Sequence, residues 1–249
     1  MSKYWILLGS VLLVISLIGC GQSSETTEAA TGYVPGQVEE GYGYTHGGYV
    51  GQAVVKVLDD GSLDVTLDEA FLPHTLAIVD LEASEWSNDN TVYYISRGNE
   101  VRVAKHVEYA GKVYAGVTAG GSLTYVEADE TGKPVGGTDL EKAILRNQGT
   151  MKAYYGIIRA GGFKVIPTFG GDAVAVTTTH YGGVTKTASP GYWDSGLTWT
   201  GNMAAIEEFI EANGTAYSLD EMKRAEKEDA AGLKKWSVAD AVTGATNSD

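Results

Sequence analysis

The fold is decided by Gln52-Ala-Val-Val-Lys-Val-Leu58, followed by Asp59-Asp60-Gly61-Ser62 and then by Leu63-Asp-Val-Thr-Leu67. Both flanking runs alternate apolar and polar residues, which is the period of a half-buried strand. The Asp-Gly pair between them favours the positive φ angles of a tight turn. This stretch therefore predicts a β-hairpin.

A second group of alternating runs follows at Val92–Ser96, Val101–Val107 and Lys112–Val117. Turn residues separate them at Arg97–Glu100 and at Gly111. Short alternating runs joined by glycine-containing turns pair with their neighbours in sequence, so this group predicts an antiparallel meander. Further along, glycine pairs frame Asp172–His180, and we expect another hairpin there.

Helical patterns are confined to Asp139–Asn147, Asn202–Ala212 and a third segment from Leu219 to about Leu233. The third begins with Ser218 and Glu221, which have the spacing of a capping box. Sheet in the middle of the chain and helices late in it predict an α+β fold, mainly antiparallel sheet with a few helices, mostly in the C-terminal third.

The N-terminus has the pattern of an export signal. Lys3 precedes an apolar run from Tyr4 to Ile18, which is short for a membrane-spanning helix. The run ends in Leu-Ile-Gly-Cys20, which resembles the lipobox of bacterial lipoproteins. The resemblance implies a signal peptide of residues 1–19, lipid on Cys20 and a protein anchored on the extracytoplasmic face of the cell membrane. The alternative is an ordinary buried cysteine next to an uncleaved anchor.

Composition limits what the rest of the chain does. Cys20 is the single cysteine, so the mature chain is expected to form no internal disulfide. Residues 20–32 are polar and lack aromatic side chains, which predicts a flexible lipidated tether before a domain of residues 33–249. With 18 basic and 32 acidic residues the net charge is −14, which repels nucleic acid, so no nucleic-acid partner is expected.

The motif that points to chemistry lies near the C-terminus: Asp240-Ala241-Val242-Thr243-Gly244-Ala245-Thr246. It resembles the flavinylation motif of the FMN-binding domain family, found in subunits of sodium-pumping and Rnf-type oxidoreductases and in flavin-bearing surface lipoproteins. All five fixed positions match, namely Asp240, Thr243, Gly244, Ala245 and Thr246. The resemblance implies covalent FMN, joined to Thr246 through a phosphoester that a separate flavin transferase makes.

The residue types of the motif suit such a modification. Thr246 supplies the hydroxyl, while Gly244 and Ala245 leave the backbone before it unobstructed. A threonine hydroxyl is a poor nucleophile without activation, so we expect the transferase to supply a metal that Asp240 helps to place. The alternative is a tail of small polar residues without a cofactor.

A second segment carries the same resemblance. Residues 47–63, which include the first hairpin, look like the opening hairpin of that family. The resemblance then implies an FMN-binding-like domain in residues 33–249 with a large insertion or divergent sheet at about 80–200.

Other candidates have simpler explanations. The four histidines, His46, His74, His106 and His180, lack the paired spacing of a zinc site, so no metal is expected. His106 is predicted to be a sheet residue. Tyr44 and His46 could stack on a flavin ring, and Tyr192–Trp199 could line a flavin pocket, although plain packing explains both segments as well. No motif of a hydrolase, kinase or dinucleotide-binding enzyme is present.

These observations predict an extracytoplasmic flavoprotein electron carrier that relays electrons from a membrane redox donor. It is expected to be a redox carrier rather than a stand-alone enzyme, because no second site for a substrate is evident. The alternative function is a surface binding or antigenic lipoprotein without a cofactor.

Overall fold

The computed structural model describes residues 34–45, 48–193 and 198–214 in full, and the backbone alone of residues 223–228, 234–237 and 246–247. The strands are β1 Val38–Thr45, β2 Tyr49–Val57, β3 Leu63–Phe71, β4 Thr91–Ser96, β5 Asn99–Ala104, β6 His106–Tyr109, β7 Lys112–Ala119, β8 Ser122–Glu127, β9 Phe163–Val165, β10 Val174–Ala175, β11 Lys223–Glu228, β12 Lys234–Ser237 and β13 Thr246–Asn247. The helices are α1 Pro73–Leu76, α2 Leu140–Ile144, α3 Gln148–Arg159 and α4 Thr198–Asn213. Strands pair mostly antiparallel, so the predicted α+β class is confirmed.

The chain divides into two compact units. Unit 1 contains the described residues up to 45, residues 51–68 and the described residues from 193 onward. Unit 2 contains residues 48–50 and 69–192. Most of the predicted insertion at about 80–200 therefore falls in unit 2, and its status as an insertion stays a prediction.

The predicted first hairpin is confirmed as strands β2 and β3 of a sheet with the order β1-β2-β3. Its turn is closed by the Leu58 N–H, which donates to the Ser62 carbonyl at 2.8 Å. Gly61 has a φ of +82°, the left-handed conformation that the Asp-Gly pair predicts. The Asp60 carboxylate accepts from the Ser62 N–H and hydroxyl, and these bonds lower its pKa.

The strands predicted as one meander form antiparallel hairpins but are divided between two sheets, and the hairpins of this region use one turn type three times. Each turn has two residues, both with positive φ, which is the type I′ geometry that matches strand twist. The turns are Arg97-Gly98 (50° and 81°), Ala110-Gly111 (51° and 77°) and Gly120-Gly121 (58° and 82°). The hairpin predicted around Asp172 is present as the short pair β9–β10.

The run Val101–Val107, predicted as one strand, is broken at Lys105. Strand β5 pairs with β4, while β6 belongs to a five-stranded sheet with the order β10-β9-β6-β7-β8. The Lys105 N–H donates to the carbonyl of Asn90, which precedes β4, while the Lys105 carbonyl accepts from the Gly116 N–H of β7, so the chain passes from one sheet to the other at this residue. The break lets β6 pair with β7 on one side and β9 on the other.

Two helices in unit 2 begin at residues whose side chains cap the helix N-terminus. The first predicted helix begins as expected, because the Asp139 carboxylate caps α2 by accepting from the Glu141 N–H. Helix α3 was not predicted. Its capping box joins Asn147 to Thr150, and the threonine at the third position replaces the Glu or Gln that marks such a box in sequence.

The two later helix predictions need correction. Helix α4 begins at Thr198, before the predicted start at Asn202, and Asn202 is buried one turn inside the helix, where its side-chain amide donates to the Thr198 carbonyl at 2.6 Å. The helix predicted from Leu219 to Leu233 is wrong, because β11 and β12 form an antiparallel pair there. Helix propensity is a weak preference, and strand pairing overrides it in this segment. The capping residues Ser218 and Glu221 lie outside the described residues.

The core of unit 2 forms where α2 and α3 cover the five-stranded sheet. Its fully buried side chains include Tyr125, Tyr154, Phe163, Leu140, Ile144, Met151 and Ile158. Each large apolar side chain of this kind contributes about 1.5–3 kcal/mol by leaving water. The two tyrosine hydroxyls remain satisfied, because Tyr125 donates to the Ala104 carbonyl at 2.7 Å and Tyr154 donates to the Phe71 carbonyl.

Candidate functional site

Of the predicted site residues, Thr246 lies in a described strand, where only the backbone is described. Its Cα is paired with that of Ser237 in an antiparallel ladder. The sheet order β11-β12-β13 puts this strand at a sheet edge. Asp240, Thr243, Gly244 and Ala245, like the predicted lipidation site Cys20, lie outside the described residues.

Unit 2 brings Tyr49 and Tyr192 together, although 143 positions separate them in the chain. Tyr192 begins the aromatic segment Tyr192–Trp199 that could line a flavin pocket. The hydroxyl oxygens of Tyr49 and Tyr192 are 2.7 Å apart, and their rings meet edge to face with centroids separated by 6.0 Å. Tyr192 thus follows the packing alternative. Tyr44 is 57% exposed, whereas His46 lies outside the described residues.

A buried lysine stands at the centre of this cluster. The Lys186 ammonium lies 3.6 Å from the centroid of the Tyr49 ring and 4.6 Å from that of Tyr192. It also forms an ion pair with the Glu69 carboxylate. Lys186 is only 6% exposed, so the carboxylate and the two ring faces replace the water that an ammonium group otherwise requires. We call Tyr49, Tyr192, Lys186 and Glu69 the aromatic–lysine cluster.

Further aromatic rings enclose the cluster. Phe71 stacks on Tyr181 with a centroid distance of 5.5 Å, and Tyr181 meets Tyr192 edge to face at 5.0 Å. The His180 ring lies 3.7 Å from that of Tyr181, and burial lowers the pKa of its imidazole. Desolvation raises the pKa of both cluster tyrosines above 10.0, so both are neutral phenols at neutral pH. At that pH the two phenols therefore act as packing and hydrogen-bonding groups rather than as phenolate bases.

A second polar arrangement in unit 2 joins His74 to Glu141. One carboxylate oxygen accepts from the His74 backbone N–H at 2.7 Å and lies 2.9 Å from its Nδ1. This fixes the imidazole with Nδ1 toward the carboxylate, and the ring packs edge to face against Tyr94 at 5.7 Å. Burial raises the pKa of Tyr94 to about 12. The sequence gives no signal for this pair, because 67 positions separate its members.

The prediction for His106 is confirmed. It begins β6, is buried, and its Nε2 lies 2.8 Å from the Gly132 carbonyl oxygen. Its ring packs against Phe169 at 4.8 Å. Within the described part of the chain, no group of three or more metal-ligating side chains comes together.

Next to Phe169, unit 2 has an open groove with a volume of about 540 Å³. Phe169 is 36% exposed and forms one wall, while the Lys164 ammonium and the Glu108 carboxylate, 2.7 Å apart, form another. Asp172 also lines it. The volume lies within the range of small-molecule sites.

The chain has no match among family models, curated proteins or solved structures. Among the helices that the structure describes, none has the length and apolarity needed to cross a membrane. The functional case therefore depends on the chain's own residues.

Proposed function

We propose that this protein is an extracytoplasmic electron carrier with FMN attached covalently to Thr246. The observation that carries the proposal is the match of Asp240, Thr243, Gly244, Ala245 and Thr246 to every fixed position of the flavinylation motif. Four of these residues, Thr243 to Thr246, are consecutive, so the match depends on order as well as composition.

Thr246 has the hydroxyl group and the position in its sheet that attachment of FMN requires. A phosphoester requires a hydroxyl, which Thr246 has, and a modifying enzyme requires access to that residue. Strand β13 is two residues long and lies at the edge of its sheet, where β12 is the one described strand that pairs with it. Edge strands leave one side of the backbone open to other chains, which supports the proposal.

Each part of the chain then has a separate task. When bound, FMN supplies the redox chemistry, and the protein supplies its position and surroundings. Cys20 carries the lipid anchor, and the polar residues after it separate the folded part from the membrane. The proposed partners are a flavin transferase and a membrane redox donor. Covalent attachment prevents loss of a cofactor into surroundings that contain little of it.

The groove beside Phe169 favours a second candidate, a surface lipoprotein that binds a small ligand without a cofactor. Its wall combines an exposed aromatic ring with an ion pair, a mixture found in ligand sites. This candidate requires no flavin, so flavin attachment separates the two.

The test is coexpression with a flavin transferase, followed by flavin fluorescence of the denatured protein in a gel. Wild type should fluoresce, and Thr246→Ala should be dark because it lacks the accepting hydroxyl. Thr243→Ser is the matched control, since the family motif accepts either residue at that position, and it should fluoresce.

Intact-protein mass spectrometry completes the test, because the wild type should gain the mass of one FMN less one water. A fluorescent Thr246→Ala band would move the attachment site elsewhere. If the wild type stays unlabelled while a known family member is labelled in the same cells, the ligand-binding candidate is preferred.

A further inference from the structure

Strand β3 lies at the edge of the sheet β1-β2-β3. An edge strand presents unpaired backbone N–H groups, which need partners when the edge is covered. Near its end, within unit 2, residues 184–186 cover the edge: the Phe71 N–H donates to the Val184 carbonyl at 3.1 Å, and the Glu69 carbonyl accepts from the Lys186 N–H at 2.8 Å. These two bonds flank an isolated antiparallel bridge between Ala70 and Thr185.

The earlier part of the same edge, in unit 1, is covered by side chains of helix α4. The Val65 N–H donates to a Glu211 carboxylate oxygen at 2.8 Å. The Leu67 N–H donates to a Glu207 carboxylate oxygen at 2.6 Å. Two glutamates on one helix thus replace the neighbouring strand.

The spacing of the two elements explains why this arrangement fits. Residues four apart on a helix are separated by about 6 Å along its axis. Residues two apart on a strand are separated by about 6.6 Å. Glu207 and Glu211 therefore stand opposite Leu67 and Val65, whose N–H groups both point to the same edge.

The surroundings of Glu207 in this contact disfavour the charged form of its carboxyl group. Desolvation raises the pKa of Glu207 above its ordinary value of 4.5, although the hydrogen bond from Leu67 acts in the opposite direction. Among the residues that the structure describes, the charged groups that act on it are Glu211 on its own helix, and Asp64 and Asp68 on β3, all of which are negative. Two hydrogen bonds therefore hold the helix on the strand despite the repulsion among the carboxylates of Glu207, Glu211, Asp64 and Asp68.

We propose that helix α4 is a pH-sensitive latch on the edge of strand β3, which tightens as Glu207 takes up a proton. With the helix docked, Glu207 binds a proton more readily than with the helix released into water. By linkage, acid must favour the docked helix. The effect develops as pH falls from neutrality toward 4.5, and it is complete once Glu207 is protonated in both states.

The experiment is amide hydrogen exchange of the full-length protein, followed by NMR between about pH 7.5 and about pH 5 and corrected for the intrinsic exchange rate at each pH. Protection of the Val65 and Leu67 amides should rise several-fold as the pH falls. The Leu58 amide, in the turn of the same hairpin and bonded to Ser62, should keep constant protection.

Variants separate the latch from a general effect of acid. Glu207→Gln keeps an oxygen that accepts from Leu67 but removes the charge, so protection at neutral pH should reach the acid level and lose most of its pH dependence. Glu208→Gln is the matched control, because that exposed side chain lies on the same helix and is not bonded to β3. It should behave as wild type.

Three outcomes would overturn the proposal: protection that is the same at both ends of the pH range, protection that falls in acid, or a Glu208→Gln variant that flattens the response as Glu207→Gln does. Should Glu207→Gln fail to fold, Glu211→Gln tests the second bond of the latch independently. None of these measurements depends on FMN.

Discussion

The two units hold carboxylates against their strands in opposite ways. In unit 2, Glu69 faces the buried ammonium of Lys186, which also lies over the π faces of Tyr49 and Tyr192. In unit 1, Glu207 and Glu211 face backbone N–H groups and other acids. In unit 2 the carboxylate is neutralised by a buried ammonium, whereas in unit 1 the carboxylates depend on partial exposure to water. We expect unit 2 to lose stability when either charge of the Glu69–Lys186 pair is removed. We expect the helix contact in unit 1 to respond to pH and salt.

The largest effect should follow Lys186→Met. This change leaves Glu69 beside a cluster with no ammonium, and breaking a buried ion pair from one side costs about 3–5 kcal/mol. Urea unfolding followed by circular dichroism measures the loss. The double variant Glu69→Gln with Lys186→Met should recover part of it, because no buried charge remains. A single variant as stable as wild type would contradict the role given to the cluster.

Tyr192→Phe should have a smaller effect. It keeps the ring that packs against Phe71 and Tyr181 but removes the hydroxyl that bonds Tyr49, which costs about 1 kcal/mol. The same urea titration measures it. The control is Tyr44→Phe, which alters an exposed ring and should change the free energy of unfolding by less than about 0.5 kcal/mol.

Asp64→Asn should have the smallest effect, and its sign should be opposite. It removes one negative charge that acts on Glu207, so it should stabilise unit 1 at neutral pH by roughly a few tenths of a kcal/mol. High salt screens such exposed charges, and the gain should disappear at about 1 M. Unfolding curves at low and high salt measure the gain in stability and its loss when the charges are screened. A gain that persists in high salt would show that repulsion is not its cause.

Local sequence signals predicted much of this fold. The Asp60-Gly61 turn and the glycines at 98 and 111 specify conformations that their own residues adopt, so the hairpins could be read from short stretches. Helix α3 was missed because its box uses Thr150, and the strands β11 and β12 were missed because pairing between segments outweighs propensity.

The contacts that matter most for the sites join distant positions. Glu69 and Lys186 are 117 positions apart, and Leu67 and Glu207 are 140 apart. No spacing rule in a single sequence connects such pairs, because only the folded chain brings them together. The acceptor Thr246 could be chosen from sequence because its motif is contiguous.

The type I′ turns of unit 2 have a consequence for the order of folding. Three hairpins that each close over two residues pair β4 with β5, β6 with β7 and β7 with β8 without enclosing long loops, and such local contacts form quickly. The bond between Tyr49 and Tyr192 must instead close a loop of more than a hundred residues. The meander should therefore be assembled early, and the aromatic–lysine cluster should form late as the step that completes unit 2.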